Sequence, residues 1–490
     1  MNLFGTAGIR GSAEERVTPA LALAVGRAVA AEIREHGATE SPDREDTLTP
    51  EVVVARDGRV TGPALAAAME SGLASGGVQV LRAGQLPTPG LAHASRGRYG
   101  VMLTASHNPP ADNGIKLFCD GSEFDSDAER AVEERVADEE PTAAWDAWSA
   151  TERVDALDAY LDDVVAYAEG FGAHLDGLRI AVDCGNGMAA TATPTVLRRL
   201  GAEVVTLNGN VDGHFPGRGS KPTPETLRDL RAFVADANEG LERPGRPGAR
   251  DADGNERDAE GYAFGIGHDG DADRIVIVDA DGEVVHEDTV LAMLAELYTR
   301  ESDADDSVVV TTPNASGRID ERVDEAGGRV ERVRLGALHE GIAAVRGGAS
   351  DGTAVVFAAE PWKHVHVDLG GWIDGVASAA VIARLVAADG LDALREPITE
   401  RPYRKVSVDC PDGAKATVMD RLETTLPDAY PDATVDTDHG VRLEFPDASW
   451  TLVRPSGTEP YVRVYAESDD VNELVESVTA VVGVAVTESA

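Results

Sequence analysis

Ser106 lies in the run Thr104-Ala105-Ser106-His107-Asn108-Pro109-Pro110, followed by Asp112-Asn113-Gly114-Ile115-Lys116. An apolar segment, Tyr99-Gly100-Val101-Met102-Leu103, leads into it and reads as a buried strand. Asn-Pro and Pro-Pro stop regular structure at once. The serine is therefore set on a stiff loop at a strand end, with the His107 imidazole beside it and the Lys116 ammonium able to fold back. These groups suit a serine that carries and passes on a phosphoryl group. A plain turn without chemistry is the competing reading of this segment alone.

The second reactive run is Gly267-His268-Asp269-Gly270-Asp271-Ala272-Asp273-Arg274, ahead of Ile275-Val276-Ile277-Val278. In an extended segment alternate side chains share a face. Asp269, Asp271 and Asp273 would then repel one another unless a cation sits among them. Oxygen-only donors suit Mg²⁺, which also favours a substrate phosphate as partner. An EF-hand is excluded by the missing Glu that such a loop requires.

Three further segments carry polar groups in turns. Phe4-Gly5-Thr6-Ala7-Gly8-Ile9-Arg10-Gly11 is a glycine-rich bend whose Arg10 could grip a phosphate. Arg454-Pro455-Ser456-Gly457-Thr458-Glu459-Pro460, with Arg463 beyond it, reads as an anion nest of arginines, hydroxyls and backbone N–H groups. Ala354–Phe357, a strand, delivers Glu360-Pro361-Trp362-Lys363-His364 to a loop that could read a sugar, unless the tryptophan instead packs between domains. Cys184-Gly185-Asn186-Gly187-Met188 lacks the Lys-Ser/Thr of a Walker loop and reads as a structural turn.

The elements that position these residues alternate strand and helix. Helices are expected over Pro19–His36, Pro63–Ser75 and Val376–Ala387, and strands over Val52–Ala55, Val78–Leu81, Leu178–Asp183, Glu203–Leu207 and Val308–Thr311. Leu86-Pro87-Thr88-Pro89 reads as a rigid turn, Asp125–Ala168 as a helical connection, and Asn238–Glu260 as a solvated insertion. Ser106 falls at the C-terminal end of a strand, where open parallel sheets tend to bind ligands. A smaller α+β block begins near Tyr403.

The chain has 490 residues, with 44 Lys plus Arg against 87 Asp plus Glu, a net charge of −43. Such a surface repels nucleic-acid phosphates and anionic membrane. In dilute buffer it also repels itself, whereas in molar salt the Debye length falls to roughly 3 Å. The composition therefore predicts a halophilic protein from a high-salt cytoplasm. Its thermal midpoint is expected to rise as KCl is raised to molar concentrations; a protein most stable in dilute buffer would contradict this. Cys119, Cys184 and Cys410 form no disulfide or zinc pattern. The N-terminus has no signal-peptide character, and the apolar tail near Val478–Val486 is too short to span a bilayer. The expectation is a soluble, cytoplasmic protein.

Taken together, the four motifs and their order resemble the α-D-phosphohexomutase superfamily, whose members include phosphoglucomutase/phosphomannomutase and phosphoglucosamine mutase. The resemblance covers nearly the whole chain: serine loop at Thr104–Pro110, metal loop at Asp269–Arg274, sugar loop at Glu360–His364 and phosphate loop at Arg454–Arg463. It implies an α/β fold of three similar α/β domains with mixed sheets plus a smaller α+β C-terminal domain around a central cleft. The boundaries expected are 1–168, 169–290, 291–398 and 399–490. It implies an isomerase of the intramolecular phosphotransferase type, moving phosphate between the 1- and 6-positions of a hexose or glucosamine phosphate through phospho-Ser106 and a bisphosphate.

In that scheme Asp269, Asp271 and Asp273 hold Mg²⁺, with a phosphate oxygen on Ser106 as fourth ligand. Arg10, Lys116 and Arg274 neutralise charge on the transferring group, and His107 or Lys116 moves the hydroxyl proton. Glu360, Trp362, Lys363 and His364 face the sugar. Arg454, Ser456, Gly457, Thr458 and Arg463 hold the resting phosphate. The partners implied are the phosphosugar and its bisphosphate, with a monomer or homodimer as the assembly.

The sugar loop departs from the usual Gly-Glu-x-Ser-Gly-His: Trp362 replaces the serine and Lys363 the glycine. With Gly371-Trp372-Ile373-Asp374, this variant looks like an archaeal, haloarchaeal subgroup. There, turnover of pentose phosphates stands as the alternative to hexose or glucosamine phosphates. An aspartyl phosphatase of the haloacid-dehalogenase type needs Thr or Val where Asp273 stands. A non-catalytic sugar-phosphate binder is disfavoured because every reactive position is intact.

Overall fold

The computed structural model describes residues 3–5, 8–36, 50–239, 261–456 and 459–489. The chain divides into two compact units, Met1–Glu287 with Trp362–Leu394, and Asp288–Pro361 with Arg395–Ala490.

The first unit contains two sheets. In one, the strands run in the order Ile9–Ser12, Asp112–Cys119, Tyr99–Leu103, Glu51–Arg56, Gln79–Gln85, Thr151–Arg153. Tyr99–Leu103 and Gln79–Gln85 lie parallel to Glu51–Arg56, while Asp112–Cys119 returns antiparallel to Tyr99–Leu103. The parallel centre is apolar on both faces, as covered parallel strands must be. Val52 and Val54 join Val101 and Leu103 under the helices Pro19–His36 and Gly62–Ser75. Val53 and Ala55 point the other way, to Met102, Phe118 and Trp372. Those two helices touch closely: a Cβ on Gly72 would come within 2.3 Å of the Leu23 carbonyl oxygen.

The second sheet has the order Ile275–Val278, Phe264–His268, Arg179–Asp183, Glu203–Leu207. Only Ile275–Val278 runs antiparallel, so the metal loop is the connection of a hairpin. Leu230 and Val234 of the helix Arg228–Glu239 cover Val276 and Val278.

The second unit holds the parallel strands Arg329–Arg332, Asp306–Thr311 and Thr353–Glu360. It also holds a five-stranded antiparallel sheet, in the order Tyr403–Asp409, Tyr461–Glu467, Trp450–Pro455, Val441–Glu444, Thr434–Asp436. The helices Lys415–Ala429 and Val471–Ser489 pack on that sheet through Val418, Leu422, Val478 and Val482. Mixed α/β units ending in an antiparallel-sheet domain are the architecture the sequence implied.

Two local expectations are corrected. Asp125–Ala168 is not continuously helical: helices span Ser126–Ala137 and Leu157–Ala168, with the edge strand Thr151–Arg153 between them. Pro141 interrupts the pattern, and the segment after it carries only a single short helical turn, Trp145–Ala147, before the strand. Leu86–Pro89 is not only a turn, because Thr88 opens the helix Thr88–Ala94, in which Pro89 occupies a first-turn position where its missing N–H costs nothing. Of the insertion, Asn238 and Glu239 end a helix and residues 240–260 lie outside the described residues. Among the described residues no helix is long and apolar enough to cross a membrane.

Candidate active site

Tyr99–Leu103 is buried throughout, and the chain turns sharply where it ends. Ser106 has φ +50°, a left-handed conformation unusual for a residue with a side chain. Its hydroxyl is fully buried and donates to Asp269 Oδ2 at 2.6 Å, with Asp273 Oδ1 at 3.5 Å. The serine and Asp269 are 163 positions apart in the chain. His107 Nδ1 lies 3.4 Å from the same hydroxyl. Lys116 sits opposite Met102 on the returning strand and reaches Asp273 Oδ2 at 3.2 Å and Glu123 Oε1 at 3.3 Å.

The three aspartates are fully buried, and one oxygen from each lies within 4.8 Å of the others. They do not converge as an extended strand. The strand ends at His268, and Ala272, at φ +62°, curls the loop so that the carboxylates face inward. His268 braces both ends of this loop, with Nδ1 2.7 Å from the Arg274 carbonyl oxygen and Nε2 3.0 Å from Thr193 Oγ1. Gly270 lets the loop approach the serine, since a Cβ there would meet the Ser106 carbonyl oxygen at 2.6 Å.

Asp271 accepts from Thr88 Oγ1 at 2.5 Å, but its other oxygen is buried without a hydrogen-bond partner among the described residues. A bare acceptor amid three buried carboxylates, with only oxygen donors in reach, fits a hard divalent cation. The aspartate loop is a divalent-metal site.

Cations ring this cluster. Arg274 places Nε 3.9 Å from Asp269 and 3.8 Å from Asp273. Burial and the neighbouring carboxylates of Asp273 and Asp271 push Asp269 well above the ordinary range. Asp273, against the same burial, is held well below it by Lys116, Lys363 and Arg274. Burial works against the Lys116 charge, but Glu123, Asp273 and Asp271 outweigh it and hold the ammonium above its usual value. Burial, then the Arg274 and Arg10 charges, push the His107 imidazole down to about 2, so it is neutral at physiological pH.

Sequence reasoning missed two braces of the site. Arg218 donates to Asp183 Oδ2 at 2.9 Å and to the His268 carbonyl oxygen at 2.6 Å, tying the Cys184–Met188 turn to the metal loop. That turn is structural: the Arg218 guanidinium occupies the space over Gly185. Thr88 is the other. Neither belongs to a local motif, and nothing in the spacing marks them.

Trp362, at φ +70°, stands between the strands Thr353–Glu360 and Lys363–Val365. Trp362 packs on Leu227, Val276 and their neighbours, with its indole N–H lacking a partner among the described residues. His364 is buried against Ser378 Oγ at 3.0 Å, and burial pushes its imidazole down to about 3. Glu360 accepts from Gly336 N at 2.5 Å and belongs to the second unit, whereas Trp362, Lys363 and His364 belong to the first.

Arg454, Ser456 and Arg463 also lie in the second unit, and Gly457 and Thr458 lie outside the described residues. Arg454 and Arg463 are directly opposed on neighbouring antiparallel strands, and the Nε of each is buried without a partner among the described residues. Like charges so opposed repel, and an anion between them removes the conflict. Lys415 Nζ braces this loop through the Ser456 and Glu459 carbonyl oxygens, each at 2.6 Å.

Sequence models of the phosphoglucomutase/phosphomannomutase family match this chain three times: its alpha/beta/alpha domain I over residues 1–143, its alpha/beta/alpha domain II over 158–282 and its C-terminal domain over 406–483. A phosphopentomutase of Thermococcus kodakarensis is 38% identical over 96% of this chain and 94% of its own. A probable phosphoglucosamine mutase of Methanopyrus kandleri is 40% identical over 95% of this chain and 94% of its own. The chain belongs to the phosphoglucomutase/phosphomannomutase family. It is a phosphosugar mutase, an intramolecular phosphotransferase with the family's four-domain α/β fold. A solved family structure from Burkholderia thailandensis superimposes with a TM-score of 0.79 at 26% identity, covering 99% of this chain and 97% of that one.

Proposed function

We propose that the enzyme interconverts the 1- and 6-phosphates of a hexose or glucosamine through phospho-Ser106. The observation that carries this reading is the buried Ser106 hydroxyl, 2.6 Å from Asp269 in the aspartate cluster. The Ser106 Oγ–P bond breaks as a P–O bond forms to the sugar hydroxyl. His107 or Lys116 moves the hydroxyl proton, and the Lys116 ammonium also supplies positive charge beside the transferring group. The bisphosphate turns over, and its other phosphoryl group returns to Ser106.

Mg²⁺ held by Asp269, Asp271 and Asp273, with an oxygen on Ser106 as a further ligand, would supply charge neutralisation at the transferring phosphoryl group. Arg10 and Arg274 add to it from the protein side. Glu360, Trp362, Lys363 and His364 are assigned to the sugar. Arg454, Ser456, Gly457, Thr458 and Arg463 are assigned to the phosphate that is not reacting. Four domains bounded as 1–168, 169–290, 291–398 and 399–490, a monomer or homodimer, and a high-salt cytoplasm complete the proposal.

The resemblance to the M. kandleri protein supports glucosamine or hexose phosphate. The T. kodakarensis phosphopentomutase supports a second reading, with ribose phosphates as substrates. The two separate on a panel of glucose, mannose, glucosamine and ribose 1-phosphates, assayed with Mg²⁺ and the matching bisphosphate in high KCl. The highest kcat/KM is expected on a hexose or glucosamine phosphate; highest turnover of ribose 1-phosphate would install the second reading. Arg454→Ala is expected to raise KM by roughly 2–4 kcal/mol in apparent binding, the cost of a lost charged hydrogen-bond pair. An unchanged KM would remove Arg454 from the phosphate site.

A further inference from the structure

Behind the serine loop lies a polar cluster that the chemistry above does not use. Arg59 is completely buried, and each of its five N–H donors has an acceptor. Nε donates to Asp57 Oδ2 at 3.0 Å. Nη1 donates to the carbonyl oxygens of Pro109 at 2.5 Å and Asp112 at 2.9 Å. Nη2 donates to those of Ser106 at 2.9 Å and Asn108 at 2.8 Å.

Asp57 in turn accepts from Thr104 Oγ1 at 2.8 Å, and that same hydroxyl accepts from the Ser106 N–H at 2.9 Å. The N–H and the carbonyl of Ser106 therefore both lead back to the Asp57–Arg59 pair. Phe215 lies against the guanidinium at 5.1 Å, closing it off from the side of the second sheet.

We propose that Asp57, Arg59 and Thr104 are positioning residues that hold Ser106 in its left-handed turn, aim Oγ at the aspartate cluster, and so govern the rate of phosphoryl transfer rather than affinity for the sugar. The inference rests on Ser106 being the phosphoryl carrier. Its physical basis is that a non-glycine residue at φ +50° persists only where its surroundings over-determine the backbone. Here the flanking peptide groups are bound by a saturated buried ion pair. A serine displaced by about 1 Å loses on the order of a hundredfold in rate, while the distant groups that bind sugar are untouched. Lysine cannot replace Arg59, because one ammonium has three donors and no planar fork with which to reach four carbonyls.

The test is a set of variants assayed at saturating Mg²⁺ and bisphosphate, with kcat and KM measured separately and activity expressed per folded enzyme. Thr104→Val, which keeps side-chain volume and removes the hydroxyl, is expected to lower kcat ten- to hundredfold with KM within about threefold. It should slow labelling of Ser106 by the bisphosphate to the same degree. Thr104→Ser, which restores both hydrogen bonds, is expected to recover most of that loss. Arg59→Lys is expected to lose at least as much as Thr104→Val; because it removes a buried fork and could unfold the protein, Thr104→Val carries the decision.

A Thr104→Val enzyme with kcat within threefold of the parent, beside an inactive Ser106→Ala, overturns the positioning role and leaves the serine reading intact. So does a loss that Thr104→Ser fails to recover. Activity surviving in Ser106→Ala overturns the reading on which the inference rests.

Discussion

Ser106→Ala is expected to abolish interconversion of sugar phosphates, with kcat down by at least about a thousandfold, while sugar-phosphate binding persists. No other hydroxyl among the described residues lies against all three elements of the site. Ser106 Oγ donates to Asp269, sits 3.4 Å from the neutral His107 and shares Asp273 with Lys116. Removing the oxygen removes the covalent carrier, not a charge that other cations could replace. The change is isosteric enough for the buried loop to survive, since alanine loses only an oxygen and leaves the backbone bonds of residue 106 in place. Two measurements read the result: uptake of labelled phosphate from the bisphosphate, and affinity for the sugar phosphate by calorimetry. Label appearing on Asp269 in the parent enzyme would instead favour aspartyl chemistry. Turnover persisting in the alanine variant would reject the serine as carrier.

The second large effect belongs to Asp271. Stripping metal with EDTA is expected to silence the enzyme, and Mg²⁺ to restore it. Asp271→Asn should raise the Mg²⁺ concentration needed for half-maximal activity by on the order of a hundredfold, as for a lost charged ligand in a buried oxygen site. Stability gives an independent readout with an opposite sign in each condition. In EDTA the variant should unfold no more easily than the parent, because one of three mutually repelling buried carboxylates has been neutralised. With Mg²⁺ at about a hundred times the parent's dissociation constant, the parent should gain about 2.7 kcal/mol and the variant only about 0.4 kcal/mol. Equal stabilisation of both proteins by Mg²⁺ would show that Asp271 is not a ligand.

Asp57 and Arg59 show why part of this site is invisible in a sequence. Four of the five acceptors that Arg59 holds are backbone carbonyls, which every residue carries, so no residue pattern can announce them. The prolines after Ser106 suggested the stiffness of the loop, yet they account for only part of it. The rest comes from a guanidinium 47 positions away along the chain. Thr88 was hidden for a related reason. Its segment reads as a proline-bounded turn, and only the docking of a short helix beside the metal loop brings its hydroxyl to Asp271. For Trp362 the residue type was equally suited to a sugar and to a core. The positive φ at residue 362 lays the ring beside the apolar cluster of the second sheet, a placement that residue type does not announce.

By itself, the chain's linear order determined the reactive groups and the alternation of strand and helix. Residue chemistry and period-two burial are local properties, carried by neighbours within a few positions of one another. Thr104–Pro110, Asp269–Arg274 and the paired arginines at 454 and 463 are legible for that reason. Only the tertiary structure decided that the Ser106 hydroxyl meets Asp269 across 163 positions, and that a curled loop rather than an extended one gathers the carboxylates. Such meetings depend on which strands pair, and in what order and register. That is the outcome of burying all the apolar faces at once, and no single segment encodes it.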